Sequence, residues 1–315
     1  MTILNSDFFE LLGWLLLALL IMPLVCEFLD GRLGPKGNQV VRNVSERVKE
    51  WWVVIVVLSI AVALGTFGIM ALFVFCSFAT LREFLTLTNT KLADSWALSA
   101  AFFFVLPFQY LAVGMGWQEL MQLFVPVYVF LGLPVLSALR GVPHSFLIRV
   151  AETQWSLMIC VYCLSHVPAL LTLDIAGFNS KNLLLILYLV IVVQSADTLQ
   201  YIWSKAIGRR RIARSLSPSK TLEGLVLGVL SSCVVGGLLS FITPFGFIGS
   251  ALMAGFLALI GFCGSLVMAA IKRDRGIKEW GPMVLQQAQG GFIDRLDSVI
   301  FAAPVFYHLV RFGWG

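Results

Sequence analysis

The sequence predicts an all-α fold: a polytopic transmembrane helix bundle of about ten spans, with a polar cavity facing the cytosol. Three observations carry this expectation. Apolar residues make up 59% of the 315-residue chain, charged residues only 12%, and mean hydropathy is +0.91. Soluble domains carry about 25% charged residues, so a soluble globular enzyme is excluded. Disorder is excluded as well, because apolar content this high buries itself. The apolar residues fall into runs near the roughly 20 residues that a spanning helix needs. Lysine and arginine are confined almost wholly to alternate connections between those runs.

In chain order the expected spans are 8–26, 51–64, 66–81, 95–113, 118–138, 147–172, 182–203, 222–243, 246–270 and 298–313. The stretch 51–81 is too long for one span and too short for two full ones. Gly65 and Gly68 mark a break within it, so the second and third helices are expected to be short or tilted. The first run is led by Asp7 and Glu10 rather than by the basic patch of a cleaved signal, so it reads as a span. Residues 1–145 are expected to supply support and oligomer contacts, and residues 146–315 to carry the functional site.

All basic residues except Lys181 and Arg311 lie in the odd-numbered connections. The first holds Arg32, Lys36, Arg42, Arg47 and Lys49, the third Arg82 and Lys91, and the fifth Arg140 and Arg149. The seventh holds Lys205, Arg209, Arg210, Arg211, Arg214 and Lys220; the ninth holds Lys272, Arg273, Arg275, Lys278 and Arg295. Such bases accumulate on the cytoplasmic side, which places both termini outside. The net charge of +5 then lies along one membrane face.

Six cysteines are scattered through apolar runs and form no disulfide framework. Cys160 and Cys163 make a lone CxxC and read as small packing residues inside a helix. His144, His166 and His308 have no metal-like spacing and read as structural. Trp51, Trp52, Trp117 and Trp280 fit interfacial belts.

The seventh connection concentrates chemistry. Asp197 ends the seventh span near Tyr201 and Lys205. Ser217-Pro218-Ser219-Lys220-Thr221-Leu222-Glu223-Gly224 then opens the eighth. Ser217 reads as an N-cap with Pro218 at the first helical position. The exposed amides of that helix start are a seat for phosphate, with Lys220 beside it. The ninth connection runs through Lys272-Arg273, Lys278-Glu279 and Gln289-Gly290-Gly291 to Asp294-Arg295-Leu296-Asp297-Ser298. Asp294 and Asp297 are three apart and share a helix face. Paired carboxylates at a helix start hold Mg²⁺, which prefers oxygen ligands and bridges phosphates. Carboxylates, bases and glycines together are the parts of phosphoryl or nucleotidyl transfer; their bland counterpart is a salt-bridged loop.

The order Lys272-Arg273, Gly276-Ile277-Lys278, Gly290-Gly291, Asp294-Arg295-Leu296-Asp297-Ser298 resembles the signature of the CDP-diacylglycerol synthase (phosphatidate cytidylyltransferase) family. Asp197, Tyr201, Lys205, Gly208, Ser217-Pro218, Lys220-Thr221 and Glu223-Gly224 resemble that family's preceding block, and the resemblance covers about residues 195–310. It implies attack of phosphatidic acid, or a related lipid phosphate, on the α-phosphorus of CTP, giving CDP-diacylglycerol and pyrophosphate in phospholipid biosynthesis. It implies Mg²⁺, with a monovalent cation such as K⁺, and a homodimer. Lys220, Lys272, Arg273, Asp294 and Asp297 become the catalytic residues. Asp197, Lys205, Ser217, Thr221, Glu223, Lys278, Gly290, Gly291 and Arg295 become substrate-binding, and Asp294, Asp297 and Ser265 the metal ligands. The partners are CTP, the lipid phosphate and membrane lipids, with no nucleic acid; the place is a bacterial inner membrane, with the site on the cytoplasmic face.

Several positions depart from the family pattern. Ser265 stands where the family carries a metal-binding Asp, and Ala269 stands for a Ser. Glu279 stands for an Asp and Gln289 for a His, while Gln287-Ala288 replaces a Pro-Gly. A hydroxyl binds Mg²⁺ far more weakly than a carboxylate. A missing transition-state contact costs about 3–4 kcal/mol, or roughly 10²–10³ in rate. Two alternatives therefore stand beside the enzyme. One is a catalytically reduced relative that binds lipid or nucleotide and supports a partner enzyme. The other is a transporter using the intramembrane Glu152, whose bland counterpart is a buried acid paired with a base.

Overall fold

A computed structural model of the chain describes residues 6–29, 35–88, 94–178, 181–277, 280 and 291–314. Those residues are almost entirely helical. We number the long helical runs α1 (Ser6–Leu29), α2 (Pro35–Ala63), α3 (Gly65–Thr86), α4 (Ser95–Gly114), α5 (Gln118–Ala138), α6 (Phe146–Thr172), α7 (Asn182–Ala206), α8 (Leu222–Ile242), α9 (Gly246–Asp274) and α10 (Phe292–Trp314). Among the described residues, the seven from α3 to α9 are long and apolar enough to cross a membrane. The fold is the expected polytopic helical bundle, and the chain is an integral membrane protein.

Two boundary expectations are corrected. The break between the second and third spans is present, with Gly65 at φ 72°, a backbone angle that a side chain disfavours. The helices themselves run on beyond the apolar stretches: α2 has 29 residues, of which the apolar part Trp51–Ala63 is short as expected, and α3 has 22. α2 begins at Pro35 because a proline at the first helical position loses no hydrogen bond there. Four bases assigned to the first connection (Lys36, Arg42, Arg47 and Lys49) therefore lie on α2. Arg149, expected in a connection, sits inside α6. It is buried there against Asp94, with Nε 3.0 Å from Oδ2. Its other nitrogens donate to the carbonyls of Val142 and His144, so this guanidinium organises the turn before α6.

α4, α5 and α6 each contain a wide π-helical turn, at Ala101–Val105, Phe124–Val129 and Met158–Cys163. Pro107 follows the first and Pro126 lies in the second. A proline removes one ladder amide, and a local π adjustment re-satisfies the freed carbonyl. Cys160 and Cys163 lie in the third of these turns as free thiols, as their packing role requires.

The contacts gather into two compact units, each made of two chain segments, and each takes residues from both sides of position 145. The first comprises residues 1–69 and 177–262. Its centre is the α7–α8 pair. Gly224, Gly228, Ser232 and Gly236 recur every fourth residue of α8 and are all buried. A methyl added at Gly228 would lie 2.2 Å from Gln200 Cγ, and one at Gly224 would lie 1.9 Å from Ser204 Oγ. Leu222, Val226, Leu230, Val234 and Leu238 run up the opposite, exposed side. Small residues inward and large ones outward is how helices pack in lipid, where tails are as apolar as leucine and only close backbone approach is gained.

The second unit comprises residues 70–176 and 263–315. Tyr110 donates to Phe73 O at 2.8 Å and meets Ser77 Oγ at 2.6 Å, tying α4 to α3. Gln109 donates to Met121 O and Ser165 Oγ, both at 3.0 Å, tying α4 to α5 and α6. His166 is fully buried, with Nδ1 2.8 Å from Tyr162 O, a structural role as expected.

Candidate functional site

The sequence-predicted residues divide between the two units. In the first unit, α7 carries Asp197, half-buried, and Lys205, exposed with its Nζ 5.8 Å from the Tyr201 ring. Beyond α7 the chain forms a small antiparallel hairpin, β1 (Arg211–Ala213) and β2 (Ser217–Thr221). This corrects the reading of Ser217 as an N-cap: Ser217 and Pro218 are strand residues, and α8 starts at Leu222. A two-stranded ladder has only edges, so the missing amide of Pro218 is tolerated there. The cap is Thr221, extended at φ −123° and ψ 157°, whose hydroxyl accepts from the Gly224 amide at 3.1 Å. The Leu222 amide donates to Arg210 O at 2.8 Å. Two of the first amides of α8 are thus spent on the hairpin and the cap.

Glu223 holds the turn before the hairpin. Its Oε2 accepts from the amides of both Arg209 and Arg210 at 3.0 Å. Lys220 projects its Nζ over the ring of Phe262 at 4.7 Å. The side chains of Lys205, Arg209, Arg210, Arg211 and Arg214 are exposed, so this end of the unit presents a basic surface.

In the second unit, the end of α9 closes on the start of α10. Gly264 lets the two helices approach, since a methyl there would lie 2.5 Å from Phe301 Cβ. Eight residues further along α9, Lys272 Nζ lies 2.6 Å from Asp294 Oδ1, with both side chains mostly shielded from solvent. The second oxygen of Asp294 accepts from the Trp280 amide at 2.8 Å. Asp297, one turn on, accepts from the Ser298 amide at 2.7 Å. Ser265, Arg295 and Asp297 are half-buried, while Arg273 is exposed and donates to Ile277 O at 3.3 Å. Gly291 is buried. Lys278 and Gly290, and with them Glu279 and Gln289, lie outside the described residues.

Sequence reasoning missed three participants. Glu83 of α3 spans the first turn of α10, with Oε1 and Oε2 accepting from the Phe292 and Ile293 amides, each at 3.0 Å. A carboxylate at a helix start satisfies orphan amides and complements the dipole. Glu83 lies at the polar end of an apolar run, and nothing local marks it as a cap for residues more than two hundred positions away. Trp280, expected in an interfacial belt, is instead fully buried and stacked on Phe84 with ring centroids 5.2 Å apart. Arg275 was counted only as a loop base. Its Nη2 lies 2.6 Å from Glu152 Oε1, so the intramembrane acid is paired with a base.

Among the described residues no three His, Cys, Asp or Glu side chains converge as a metal-binding group. The acids that remain are Asp294, engaged on both oxygens, and Asp297. Mg²⁺ is commonly held by one or two carboxylates with substrate phosphates and water as its other ligands. This pair suits an ion that arrives with a polyphosphate, not a preformed all-protein cage.

The fold and its long apolar helices define an integral membrane protein of the polytopic helical-bundle class. The Cytidylyltransferase family model matches residues 45–313, and the chain belongs to that family. It is 37% identical over 304 residues to an uncharacterized protein, YnbB, of Escherichia coli (strain K12), covering 94% of this chain and 96% of that one. It is 31% identical over 140 residues to the phosphatidate cytidylyltransferase of Bacillus subtilis (strain 168), covering 44% of this chain and 51% of the relative. It is 36% identical over 120 residues to that of Synechocystis sp., covering 38% and 40%. The chain thus matches about half or less of the length of those two named relatives.

Proposed function

We propose that this protein transfers a cytidylyl group from CTP to phosphatidic acid, or a related lipid phosphate, at the cytoplasmic face of a bacterial inner membrane. A lipid phosphate oxygen bonds to the α-phosphorus of CTP, the bond from that phosphorus to the bridging oxygen breaks, and pyrophosphate leaves. The observation that supports this most is the Lys272–Asp294 contact, 2.6 Å long, at two positions that match the family pattern. Asp294 aims the Lys272 ammonium, and an incoming polyphosphate competes for it. Lys272 and Arg273 bind phosphate oxygens as fixed positive charges. Asp294 and Asp297 would hold Mg²⁺ delivered with the nucleotide; the ion supplies neutralisation of phosphate charge. A homodimer and a monovalent cation belong to the same reading.

The test is Mg²⁺-dependent pyrophosphate release from CTP by purified protein in detergent with phosphatidic acid. Release that is lost in Lys272→Ala supports the proposal. No release from folded protein with several lipid phosphates overturns it.

A second reading has its own support: Ser265 in place of an acid, with both oxygens of Asp294 already engaged. It makes the protein a catalytically reduced relative that binds lipid or nucleotide for a partner enzyme. CTP or lipid binding without turnover would favour it.

A further inference from the structure

One cavity in the second unit is not used by the lysine–aspartate junction. It measures about 430 Å³, inside the roughly 300–1,000 Å³ range of ligand pockets. Its walls are apolar, with Phe84 of α3, Ile148, Ala151 and Trp155 of α6, and Val267 and Ala270 of α9. Ile148 and Trp155 are 55% and 54% exposed, so the cavity shares its α6 wall with the outer surface of a membrane-spanning helix.

The polar groups of the cavity are Glu152, Asp274, Arg275, Trp280 and Thr88, the last already donating its hydroxyl to Leu85 O at 2.8 Å. Arg275 Nη2 is 2.6 Å from Glu152 Oε1, and its Nε is 3.4 Å from Asp274 Oδ2. A guanidinium carries five N–H donors, and Nη1 takes part in neither pairing. Among the described residues, the buried indole N–H of Trp280 has no hydrogen-bond partner. A buried donor left unmade costs about 1–3 kcal/mol, so one that persists asks for an acceptor. Two donors with capacity to spare thus border one apolar cavity. Two carboxylates already offset the charge on Arg275, which makes the remaining donors fit a neutral oxygen better than a phosphate. Arg275 continues the α9 backbone, its amide donating to Ile271 O at 3.1 Å. It is therefore three residues from Lys272 on the same helical face.

We propose that this cavity seats an acyl chain of a glycerophospholipid, with Arg275 and Trp280 donating to its ester carbonyl oxygens. Glu152 is a positioning residue that fixes the guanidinium. For the identity of the lipid this inference rests on the cytidylyltransferase reading, which leaves the phosphate to Lys272; the binding itself does not require turnover. The consequence is specificity for ester-linked over ether-linked chains, because a site built to donate to a carbonyl rejects the analogue that lacks it.

The experiment is competition against radiolabelled phosphatidic acid on the purified full chain in detergent, with diacyl and dialkyl-ether phosphatidic acids of equal chain length. Wild type should prefer the diacyl lipid about tenfold, the scale of one or two hydrogen bonds. Trp280→Phe keeps the stack on Phe84 and removes only the N–H; it should cut that preference severalfold, as should Arg275→Ala. Ala151→Trp fills the cavity and should weaken both lipids alike. Ala270→Leu is the second filler, used if the first lowers the melting temperature. Equal affinity for the two lipids in wild type, or fillers without effect on binding, overturns the proposal, as does the absence of saturable binding. CTP turnover is measured in parallel. Ester preference without pyrophosphate release keeps the cavity and sinks the enzyme; release without ester preference does the reverse.

Discussion

Gly291 and Glu83 approach closely: a methyl at Gly291 would lie 2.6 Å from Glu83 Oε2. The family-like glycine before α10 therefore clears the approach of a carboxylate from α3, and that carboxylate caps the helix carrying Asp294 and Asp297. Gly291→Ala should push Glu83 off the cap. Glu83→Ala should cost about 1–2 kcal/mol, the worth of a lost helix cap, and Glu83→Gln, which keeps one acceptor, should cost less. Melting temperatures in detergent rank the three; a Glu83→Ala protein as stable as wild type refutes the cap.

The Lys272–Asp294 contact predicts unequal losses. Lys272→Ala should reduce turnover by about 10²–10³, the scale of one missing electrostatic contact. Asp294→Asn keeps an oxygen for the Trp280 amide but releases Lys272, so turnover should fall with little change in melting temperature. Retained activity in either variant removes the junction from the mechanism.

Ser265 marks the missing family acid. On the active-enzyme reading, Ser265→Asp should raise turnover and lower the Mg²⁺ concentration needed for half-maximal rate, because carboxylates hold this ion better than hydroxyls. An assay across Mg²⁺ concentrations separates this from a reduced relative, whose turnover stays at zero.

The buried Arg149–Asp94 pair predicts non-additivity. Removing one partner strands a buried charge at a cost of about 3–5 kcal/mol. Arg149→Met and Asp94→Leu should each destabilise strongly, and the double variant should cost clearly less than their sum. Additive effects in a double-mutant cycle would show that the pair is not coupled.

The α7–α8 contact predicts sensitivity to a single branch. Gly228→Val puts its side chain into Gln200, where even a methyl falls 2.2 Å from Cγ. The exposed Leu230→Val, on the opposite side of the same helix, should be nearly neutral. Detergent stability of the two variants is the comparison; equal stability would mean the stripe of small residues is not a packing surface.

Much of the fold was legible in the sequence. The helical runs follow from hydropathy, and the Gly65 break from a residue that tolerates positive φ. Asp294 is legible because it stands three residues before Asp297 at a helix start, and Lys272 because it opens the family-like Lys272-Arg273 run. The hairpin was not legible. Ser217-Pro218 is as good a helix start as a strand, and only the pairing of Arg211 with Thr221 chose between them. Trp280 was misassigned because an indole suits an interface and a buried stack equally well by composition.

What the sequence by itself determined is the membrane class and the helix order, since these depend on composition and on the apolar runs along the chain, and the family, through the resemblance of its motifs. What only the tertiary structure decided is which charge meets which partner. Arg149 meets Asp94 across 55 residues, Arg275 meets Glu152 across 123, and Glu83 meets the Ile293 amide across 210. A charge buried among membrane helices needs a partner, but its identity depends on which helices pack side by side, and that is set by the sum of all their contacts rather than by any local pattern.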